Sequence, residues 1–198
     1  MLAKYLYQDK IEAGIDEVGR GSLAGIVVAA AVILSPCVQI PQLNDSKQIS
    51  AALREKLNEE IIKNAVSYGI GVASVQEIDQ LNILQATYLA MHRAIEQLNP
   101  IPMHLLIDGN RFKPYPGIPH TCIIKGDTKY QSIAAASILA KNYRDKYMRE
   151  LSKIHPQYQW DKNMGYATMQ HIQAIQQYGY TSHHRKTFII KALQPTLF

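Results

Sequence analysis

Four acidic residues occupy positions from which they could hold metal ions over a phosphodiester: Asp16, Glu17, Asp108 and Asp145. Metal-assisted hydrolysis needs oxygen ligands from several elements, because two cations must lie about 3.5–4 Å apart beside the attacked phosphate. Acidic residues are scarce inside strands and costly to bury without a partner, and a divalent metal would be such a partner. The alternative is an ordinary ion pair, which is the more common explanation for an isolated Asp-Glu.

The elements predicted around these carboxylates begin with two strands. Residues 11–18 are rich in β-branched residues and a second apolar run covers residues 23–34, so Asp16 and Glu17 fall in a hairpin-like pair. Consecutive side chains on a flat strand point to opposite faces, so these two carboxylates reach one point only with twist or a backbone ligand. Asp108 closes a short apolar strand, and ligands usually lie at strand ends in open α/β sheets.

A long helix is predicted to carry the fourth carboxylate. Residues 130–153 are rich in alanine, and Ala134, Ile138, Lys141 and Asp145 follow at steps of four, three and four, so they share one helix face. Small residues on that face let the helix lie close to the sheet, which would carry Asp145 toward the other carboxylates. From the sequence alone Asp127 competes with Asp145, because it lies in a polar turn after a predicted strand.

Shorter elements are predicted between these strands and the long helix. Ser50 is a typical N-cap for an amphipathic helix that runs to about residue 64, and another helix begins near Asn82. Residues 65–75 alternate like a strand, although two glycines interrupt the pattern.

The composition of the chain excludes several classes of protein. With 198 residues, of which 47% are hydrophobic, it is long enough for one well-buried domain but hardly for two. The longest apolar run, residues 23–34, is too short to span a membrane, and residues 1–10 contain no signal-peptide core, which indicates a cytoplasmic protein. Two cysteines in unrelated contexts, Cys37 and Cys122, argue against a disulfide framework or a zinc site.

Positive charge is concentrated in the second half of the chain. Residues 1–110 contain 8 Lys and Arg against 12 Asp and Glu, a formal charge of −4, whereas residues 111–198 contain 13 against 4, a formal charge of +9. Tyrosines are interleaved with the basic residues of the long predicted helix. This pattern is typical of a surface that follows a phosphate backbone and offers rings to sugars or bases.

Nine motifs occur in the order found in one known family. They are Asp16-Glu17-Val18-Gly19-Arg20-Gly21, Asn44-Asp45-Ser46-Lys47, Leu81-Asn82-Ile83-Leu84, Ile107-Asp108-Gly109-Asn110, Lys125-Gly126-Asp127, Ala135-Ala136-Ser137-Ile138-Leu139-Ala140-Lys141, Arg144-Asp145, Gly165-Tyr166 and His183-His184-Arg185. With them, nearly the whole chain resembles bacterial type 2 ribonuclease H. The resemblance implies a ribonuclease H-like α/β fold, with a central mixed β-sheet flanked by helices. Residues 1–150 would form the catalytic core, and residues 151–198 a C-terminal helical extension of the same domain.

The resemblance also implies which residues do the chemistry. Asp16, Glu17, Asp108 and Asp145 would bind two Mg²⁺ or Mn²⁺ ions, which activate the attacking water and stabilise the departing 3′-oxygen. Asp127 would then be structural or act from behind the metal ligands. The implied reaction is endonucleolytic hydrolysis of the RNA strand of RNA–DNA hybrids, together with cleavage on the 5′ side of single ribonucleotides in duplex DNA. The products would carry a 3′-hydroxyl and a 5′-phosphate.

Substrate contacts are implied for a further set of residues. The backbone around Gly19, Arg20 and Gly21 would contact the 2′-hydroxyl that separates RNA from DNA, since glycines permit close approach. Tyr166 would stack on the sugar of the following deoxynucleotide. The family usually has His-Lys two residues before that tyrosine, whereas this chain has Asn163-Met164, which removes a phosphate contact. Phosphate contacts are implied for Lys47, His184 and Arg185, with Asn44 and Ser46 as neutral contacts, and the alternative for these residues is a solvated polar face.

Two other functions would fit part of the sequence. The related type 3 ribonuclease H carries an added N-terminal substrate-binding domain, which the 15 residues before Asp16 would not accommodate. A non-catalytic hybrid-binding module would keep the basic half, but four carboxylates would repel phosphate unless metal were bound. The expected partners are therefore RNA–DNA hybrid and ribonucleotide-containing duplex DNA, bound by a monomer.

The last five residues resemble a docking peptide. Gln194 is followed at a distance of three by Leu197 and Phe198, as in the short peptide with which many bacterial replication and repair proteins bind the sliding clamp. The two apolar side chains would fill a groove while Gln194 makes the polar anchor. The alternative is a tail that packs back on the domain, since five-residue matches are common.

Overall fold

A mixed five-stranded sheet occupies the centre of the molecule. The computed structural model describes residues 2–35, 37–38, 40–43 and 49–189. The strands are β1 (Glu12–Val18), β2 (Val27–Leu34), β3 (Ala65–Ala73), β4 (His104–Asp108) and β5 (His120–Ile123), in the spatial order β3-β2-β1-β4-β5. β2 pairs antiparallel with β1 and β3, whereas β4 pairs parallel with β1 and β5. The central mixed sheet predicted from the sequence is confirmed.

Helices cover both faces of this sheet. They are α1 (Ala51–Asn64), α2 (Val75–Leu81), α3 (Ile83–Ile95) and α4 (Gln131–Ile154). Ser50 caps α1 as predicted, since its hydroxyl accepts a hydrogen bond from Leu53 N at 3.2 Å. The sequence prediction missed α2 and continued the preceding strand to residue 75. Ser74 and Glu77 form a capping box there, which starts the helix directly after β3.

Each face of the sheet has its own core. Ala13, Ile15 and Ala29 pack with buried residues of α3, whereas Val28 and Ala30 pack with α1 and α4. Because both faces are covered, β2 is apolar at every position, which is the pattern of a fully buried strand.

Two glycines interrupt the β3 pattern because α3 lies directly against that strand. A Cβ at Gly69 would collide with Ala94 O, and a Cβ at Gly71 would collide with Ala90 O. The close approach accounts for glycine inside a strand, where its extra entropy in the unfolded chain otherwise disfavours it.

The long helix α4 runs along β1. A Cβ on Gly14 would collide with the backbone of the first turn of α4, Ser137 hydrogen-bonds Asp16, and the Arg144 side chain fills the space beside Gly19. The helix α4 and the strand β1 therefore run side by side in the same direction. The position of a residue along α4 tells which part of β1 it faces.

The segment after α4 packs against the loop between β1 and β2. It contains a 3₁₀ turn (Pro156–Tyr158), the short helix α5 (Trp160–Asn163) and the helix α6 (Met169–Tyr178). A third core joins Tyr158 and Trp160 to Ala24 of that loop. Among the described residues, no helix combines the length and the hydropathy needed to cross a membrane.

Candidate active site

Asp16 and Asp108 are neighbours at one end of the sheet. The parallel ladder between β1 and β4 pairs Ile15 with Ile107, so Asp16 and Asp108 are the next residues along the two strands. Side chains alternate along a strand, and both aspartates fall on the face that α4 covers. Backbone pairing therefore brings together two carboxylates that are 92 positions apart in the chain.

Hydrogen bonds orient both of these carboxylates. Asp16 is buried, and it accepts a hydrogen bond from Glu17 N at 2.7 Å and another from the Ser137 hydroxyl. Asp108 Oδ1 accepts from Gly126 N at 2.6 Å. Each carboxylate is thus fixed by its immediate protein surroundings before any ligand binds.

Glu17 approaches the same end of the sheet from the opposite face. It lines a pocket of about 350 Å³ together with residues of α3, and Asp108 lines that pocket as well. The side chains of Asp16 and Glu17 therefore do point to opposite faces of the sheet, as the strand geometry predicts. Their position at the end of the sheet still lets both approach one place. Beyond the last ladder pair, side chains from both faces can reach a common space.

Two further residues of this pocket were given no role in the sequence analysis. Asn110 and Arg111 line it directly after Asp108. A signal for them was present, because Asp108-Gly109-Asn110 marks the turn at a strand end, where ligands collect in α/β sheets. An amide and a guanidinium at this place can contact phosphate oxygens.

The carboxylates at this end of the sheet disfavour one another's charge. Burial raises the pKa of Asp16 well above its usual range, and the charges of Glu17 and Asp108 raise it further. Burial also raises the pKa of Glu17, against the opposing effect of Arg20, whose Nη1 lies 3.0 Å from Glu17 Oε1. A bound cation would remove both penalties.

The donor set fits a hard divalent cation. Carboxylate oxygens are the protein ligands that Mg²⁺ and Mn²⁺ prefer. Within the described residues, no three acidic, histidine or cysteine side chains close around one point as a finished ligand set. Mg²⁺ is usually bound by one or two carboxylates and completed by water and substrate phosphate, so an incomplete protein cage agrees with this chemistry.

The expectation that α4 carries Asp145 to the other carboxylates is corrected. Asp145 follows Ser137, the α4 residue at Asp16, by eight positions, which is about 12 Å along a helix. Its Oδ2 accepts from Arg54 Nη2 of α1 at 2.9 Å, and its Oδ1 accepts from Lys141 Nζ at 2.5 Å. A shared helix face was predicted, but a face extends along the whole axis, and Asp145 lies too far along it.

Asp127, the alternative that the sequence left open, lies close to Asp108. It belongs to a 3₁₀ turn, Gly126–Thr128, that packs against β4 and α4. The preceding residue donates the hydrogen bond to Asp108 Oδ1, and the Asp127 side chain is buried. The chain therefore brings a further carboxylate to the end of β4 through this turn.

The Gly19-Arg20-Gly21 segment forms a tight turn at the end of β1. Ser22 N donates to Gly19 O at 3.5 Å, and Gly19 has a φ of 93°, which favours glycine. A Cβ on Gly21 would meet no atom within 4 Å, so the outer side of the turn is open. The turn can therefore be approached closely by a ligand at its backbone.

Tyr166 lies beside this turn-containing loop. Its side chain is 38% exposed, and Arg144 Cζ lies 5.6 Å from the centre of its ring. Gly165 O accepts hydrogen bonds from Leu23 N and Ala24 N of the loop, at 2.8 and 3.3 Å. The Tyr166 segment is thus bonded to the loop that carries the Gly19-Arg20-Gly21 turn.

His184 and Arg185 lie in the interior, which corrects the expectation that they contact phosphate directly. They are 0% and 1% exposed. His184 Nδ1 accepts from Thr181 N at 2.9 Å, while the Arg185 guanidinium donates to backbone carbonyls of the β1–β2 loop. The alternative, a solvated polar face, is wrong as well, because loop carbonyls accept the Arg185 bonds inside the protein and Thr181 and His171 contact the buried His184 ring.

Several expected contacts fall outside the described residues. Asn44, Ser46 and Lys47 lie in residues 44–48, and Gln194, Leu197 and Phe198 lie in residues 190–198.

Comparison with known protein families identifies similar sequences over most of the chain. The family model described as Ribonuclease HII matches residues 13–191. A protein of Parabacteroides distasonis named Ribonuclease HII is 57% identical over 197 residues, which cover 100% of this chain and 99% of the relative. A protein of the same name from Cytophaga hutchinsonii is 52% identical over 198 residues, covering 100% of this chain and 98% of the relative.

Solved structures with the same fold are also similar. The RNase HII in a PCNA:RNase HII complex from Archaeoglobus fulgidus matches with a TM-score of 0.78 and 26% identity, over 94% of this chain and 98% of that one. The ribonuclease H2 of Pyrococcus horikoshii matches with a TM-score of 0.74 and 25% identity, over 89% of this chain and 93% of that one. Bst-RNase HIII in complex with Mn²⁺ shares the fold, with a TM-score of 0.67. The predicted ribonuclease H-like fold is confirmed.

Proposed function

Since the chain belongs to the ribonuclease HII family, we propose that it hydrolyses the RNA strand of RNA–DNA hybrids and cuts on the 5′ side of single ribonucleotides in duplex DNA. The observation that carries this proposal is the pair of strand-end neighbours Asp16 and Asp108, with Glu17 reaching the same edge. The products would be a 3′-hydroxyl and a 5′-phosphate.

We assign the metal ligands to Asp16, Glu17 and Asp108, with Asp127 as the fourth carboxylate. This choice differs from the set that the resemblance implied, because two protein cations already engage both oxygens of Asp145. Two Mg²⁺ or Mn²⁺ ions bound here would activate water and stabilise the leaving 3′-oxygen. The raised pKa values of Asp16 and Glu17 support the assignment, since a cation would favour both ionised carboxylates.

Protein groups around the carboxylates prepare the site. Ser137 and Gly126 N direct Asp16 and Asp108 by hydrogen bonds, so neither carboxylate has to reorganise when a ligand arrives. Arg111, at the rim of the pocket, can bind the phosphate backbone.

Sugar recognition would come from the Gly19-Arg20-Gly21 turn and from Tyr166. The open backbone of the turn suits contact with a 2′-hydroxyl, and the half-exposed ring suits stacking on the next deoxyribose. Exposed Lys146, Arg149 and Lys153 on α4 extend a basic surface along which the duplex would lie.

The remaining expectations stay proposals. We propose a cytoplasmic monomer in which residues 151–198 extend the catalytic core of residues 1–150.

We also propose that the C-terminal tail binds a sliding clamp through Gln194, Leu197 and Phe198. The complex of the Archaeoglobus fulgidus RNase HII with PCNA supports a clamp as the partner. A synthetic peptide of residues 190–198 should bind the clamp, and loss of residues 194–198 should abolish clamp-stimulated cleavage while basal cleavage stays unchanged.

One assay tests the catalytic proposal. Purified protein is incubated with a DNA duplex bearing one ribonucleotide, with Mg²⁺, with Mn²⁺ or with neither, and the products are mapped by gel electrophoresis. We expect a single cut on the 5′ side of the ribonucleotide only when metal is present. The all-DNA duplex serves as the control, and equal cutting of both duplexes would contradict the proposal.

The Tyr166→Ala variant tests the sugar contact. Cleavage at a single embedded ribonucleotide should fall about 10-fold more than cleavage of a long RNA–DNA hybrid, because only the former substrate depends on recognition of one RNA–DNA junction. Steady-state kcat/KM for the two substrates measures this difference. An equal loss on both would mean that Tyr166 supports general binding or the fold.

A further inference from the structure

Two buried guanidinium groups bind the inner side of the β1–β2 loop, which carries the Gly19-Arg20-Gly21 turn. Arg144 and Arg185 are 0% and 1% exposed, and neither forms an ion pair within the described residues. Burial lowers the pKa of Arg144, and burial together with the charge of Arg144 lowers the pKa of Arg185 to about 9. Burying a charge is costly unless its hydrogen bonds are made, so these bonds indicate what the arginines do.

Backbone carbonyls of the β1–β2 loop accept the bonds of Arg185. Its Nη1 donates to Arg20 O at 2.9 Å, its Nε and Nη2 donate to Gly25 O at 3.0 and 2.8 Å, and Nη2 also lies 3.2 Å from Ile26 O. One rigid guanidinium thus fixes both ends of the loop. A lysine, with a single flexible ammonium, could not reproduce this geometry.

The bond to Arg20 O has a particular consequence for Gly21. Arg20–Gly21 is the central peptide of the turn closed by Gly19 and Ser22, and it is trans. In a trans peptide the C=O and the next N–H point in opposite directions, so an inward Arg20 O sends Gly21 N–H outward. No hydrogen bond within the described residues uses this N–H, and Gly21 is exposed.

The same peptide could otherwise turn over. Type I and type II turns differ by a flip of the central peptide, and glycine at the third position permits both. The Arg185 bond selects the state in which Gly21 N–H faces outward. Without that bond, the outward donor would be present for only part of the time.

Arg144 joins this loop to the Tyr166 segment. Its Nε donates to Ile26 O at 3.0 Å, its Nη2 to Ala24 O at 3.1 Å and its Nη1 to Met164 O at 2.9 Å, while its guanidinium lies against the Tyr166 ring. Gly19 leaves the room that this side chain needs, since a Cβ there would collide with Arg144 Nε. Arg144 therefore adds three hydrogen bonds to the two that Gly165 O accepts from the loop, and together they fix the Tyr166 segment against it.

We propose that Arg144 and Arg185 are positioning residues that set the discrimination between RNA and DNA. Arg185 holds Gly21 N–H toward the ribose 2′-hydroxyl, and Arg144 sets the spacing from that donor to Tyr166. The inference rests on the proposed function, and it concerns selectivity for the ribonucleotide rather than the chemical step.

Competition kinetics with the metal-loaded protein test the role of Arg185. KM is measured for a duplex with one ribonucleotide, and Ki for the all-DNA duplex of the same sequence as competitor. In Arg185→Lys the ratio of Ki to KM should fall about 5-fold, the effect of losing one hydrogen bond, while Ki itself stays unchanged because the basic surface is intact. In Arg144→Lys the ratio of kcat/KM on the single ribonucleotide to that on a long hybrid should fall by a similar factor.

Arg93→Lys is the matched control. Arg93 also donates to a backbone carbonyl, Val72 O, and it pairs with Glu77, but it lies on α3 outside the loop. Its replacement should lower the melting temperature and leave both ratios unchanged. If Arg185→Lys and Arg144→Lys behave like this control, the arginines only support the fold and the inference is overturned.

A measurement on the unchanged protein decides the matter if the variants fail to fold. In ¹⁵N-labelled protein, the Gly21 amide resonance should shift on binding the ribonucleotide duplex in Ca²⁺ and stay in place on binding the all-DNA duplex. An unresponsive Gly21 amide would overturn the inference. Failure of the wild-type protein to cut the ribonucleotide duplex would instead overturn the proposed function, and the inference with it.

Discussion

Asp16, which contacts α4, and Asp145, which belongs to α4, are both buried aspartates, yet they have opposite surroundings. Asp145 lies between two cations, Arg54 and Lys141, which engage both of its oxygens. Asp16 instead has two like charges beside it, and its pKa is raised well above the usual range. Protein cations compensate the charge of a buried carboxylate, so it needs no ligand. A buried carboxylate with acidic neighbours needs a bound cation to lower the free-energy cost of its ionisation. This difference is the reason why we propose a metal-binding role for Asp16 and a structural role for Asp145.

The largest expected effect is on catalysis at the acidic end of the sheet. Asp16→Asn and Asp108→Asn should each reduce single-turnover cleavage by on the order of 10³-fold, because each removes a metal ligand. Hybrid binding should stay close to that of the wild type, since the basic surface is unchanged. Cleavage within a few-fold of the wild type by either variant would place the metal elsewhere.

The next effect is on stability at Asp145. Asp145→Asn removes the buried negative charge that Arg54 and Lys141 bind, and we expect a loss of about 3 kcal/mol in the free energy of unfolding. Cleavage by the folded fraction should stay near normal. Urea unfolding measures the loss, and Glu150→Gln, which removes an exposed ion pair with Lys153, is the control and should cost less than about 1 kcal/mol.

Asp127→Asn sharpens the same comparison. If the fourth metal ligand is Asp127, this variant should lose cleavage on the order of 10²-fold while keeping most of its stability, the reverse of the Asp145 variant. The pair of substitutions is measured with one ribonucleotide duplex and one urea titration. Normal turnover by Asp127→Asn, combined with lost turnover by a folded Asp145→Asn, would restore the assignment that the family resemblance implied.

The smallest effect is a pH dependence in the C-terminal segment. Burial and neighbouring histidines lower the pKa of His184 from its usual 6.5 to about 4. Between these two pKa values the unfolded chain binds a proton at His184 that the folded chain does not bind. The contribution of His184 to stability is therefore complete above pH 6.5 and is lost as the pH falls from about 6.5 to about 4. The melting temperature should fall by on the order of 5 °C over this range. His184→Gln should flatten that fall, and an unchanged slope in this variant would show that other groups cause it.

Much of the candidate site could be located from the sequence, because its residues follow local patterns. Asp16-Glu17 and Asp108 each follow a strand-like run, and strand ends are where α/β sheets bind ligands. Family membership and a ribonuclease function were predicted from nine ordered motifs, and both are confirmed. The cap at Ser50 and a helix start near Asn82 were also predicted, because a capping side chain and its partner lie within three residues.

Two misplaced residues show where sequence reasoning stopped. Helical periodicity put Asp145 on the buried face of α4 but gave no information about the level at which that helix meets β1. Likewise, Arg185 was expected to contact phosphate or to lie on a solvated face, although it binds carbonyls more than 150 residues away in the interior. Both errors concern partners that are distant in the chain.

The sequence by itself determined most of the elements, the Ser50 cap and the acidic strand ends, since these depend on contacts between residues a few positions apart. Only the tertiary structure decided which buried charges are compensated. The β1–β4 register placed Asp16 beside Asp108, and the contact between α1 and α4 placed Arg54 beside Asp145. The physical reason is that the cost of a buried charge depends on the charges and hydrogen-bond partners around it, and packing, not chain order, chooses those neighbours.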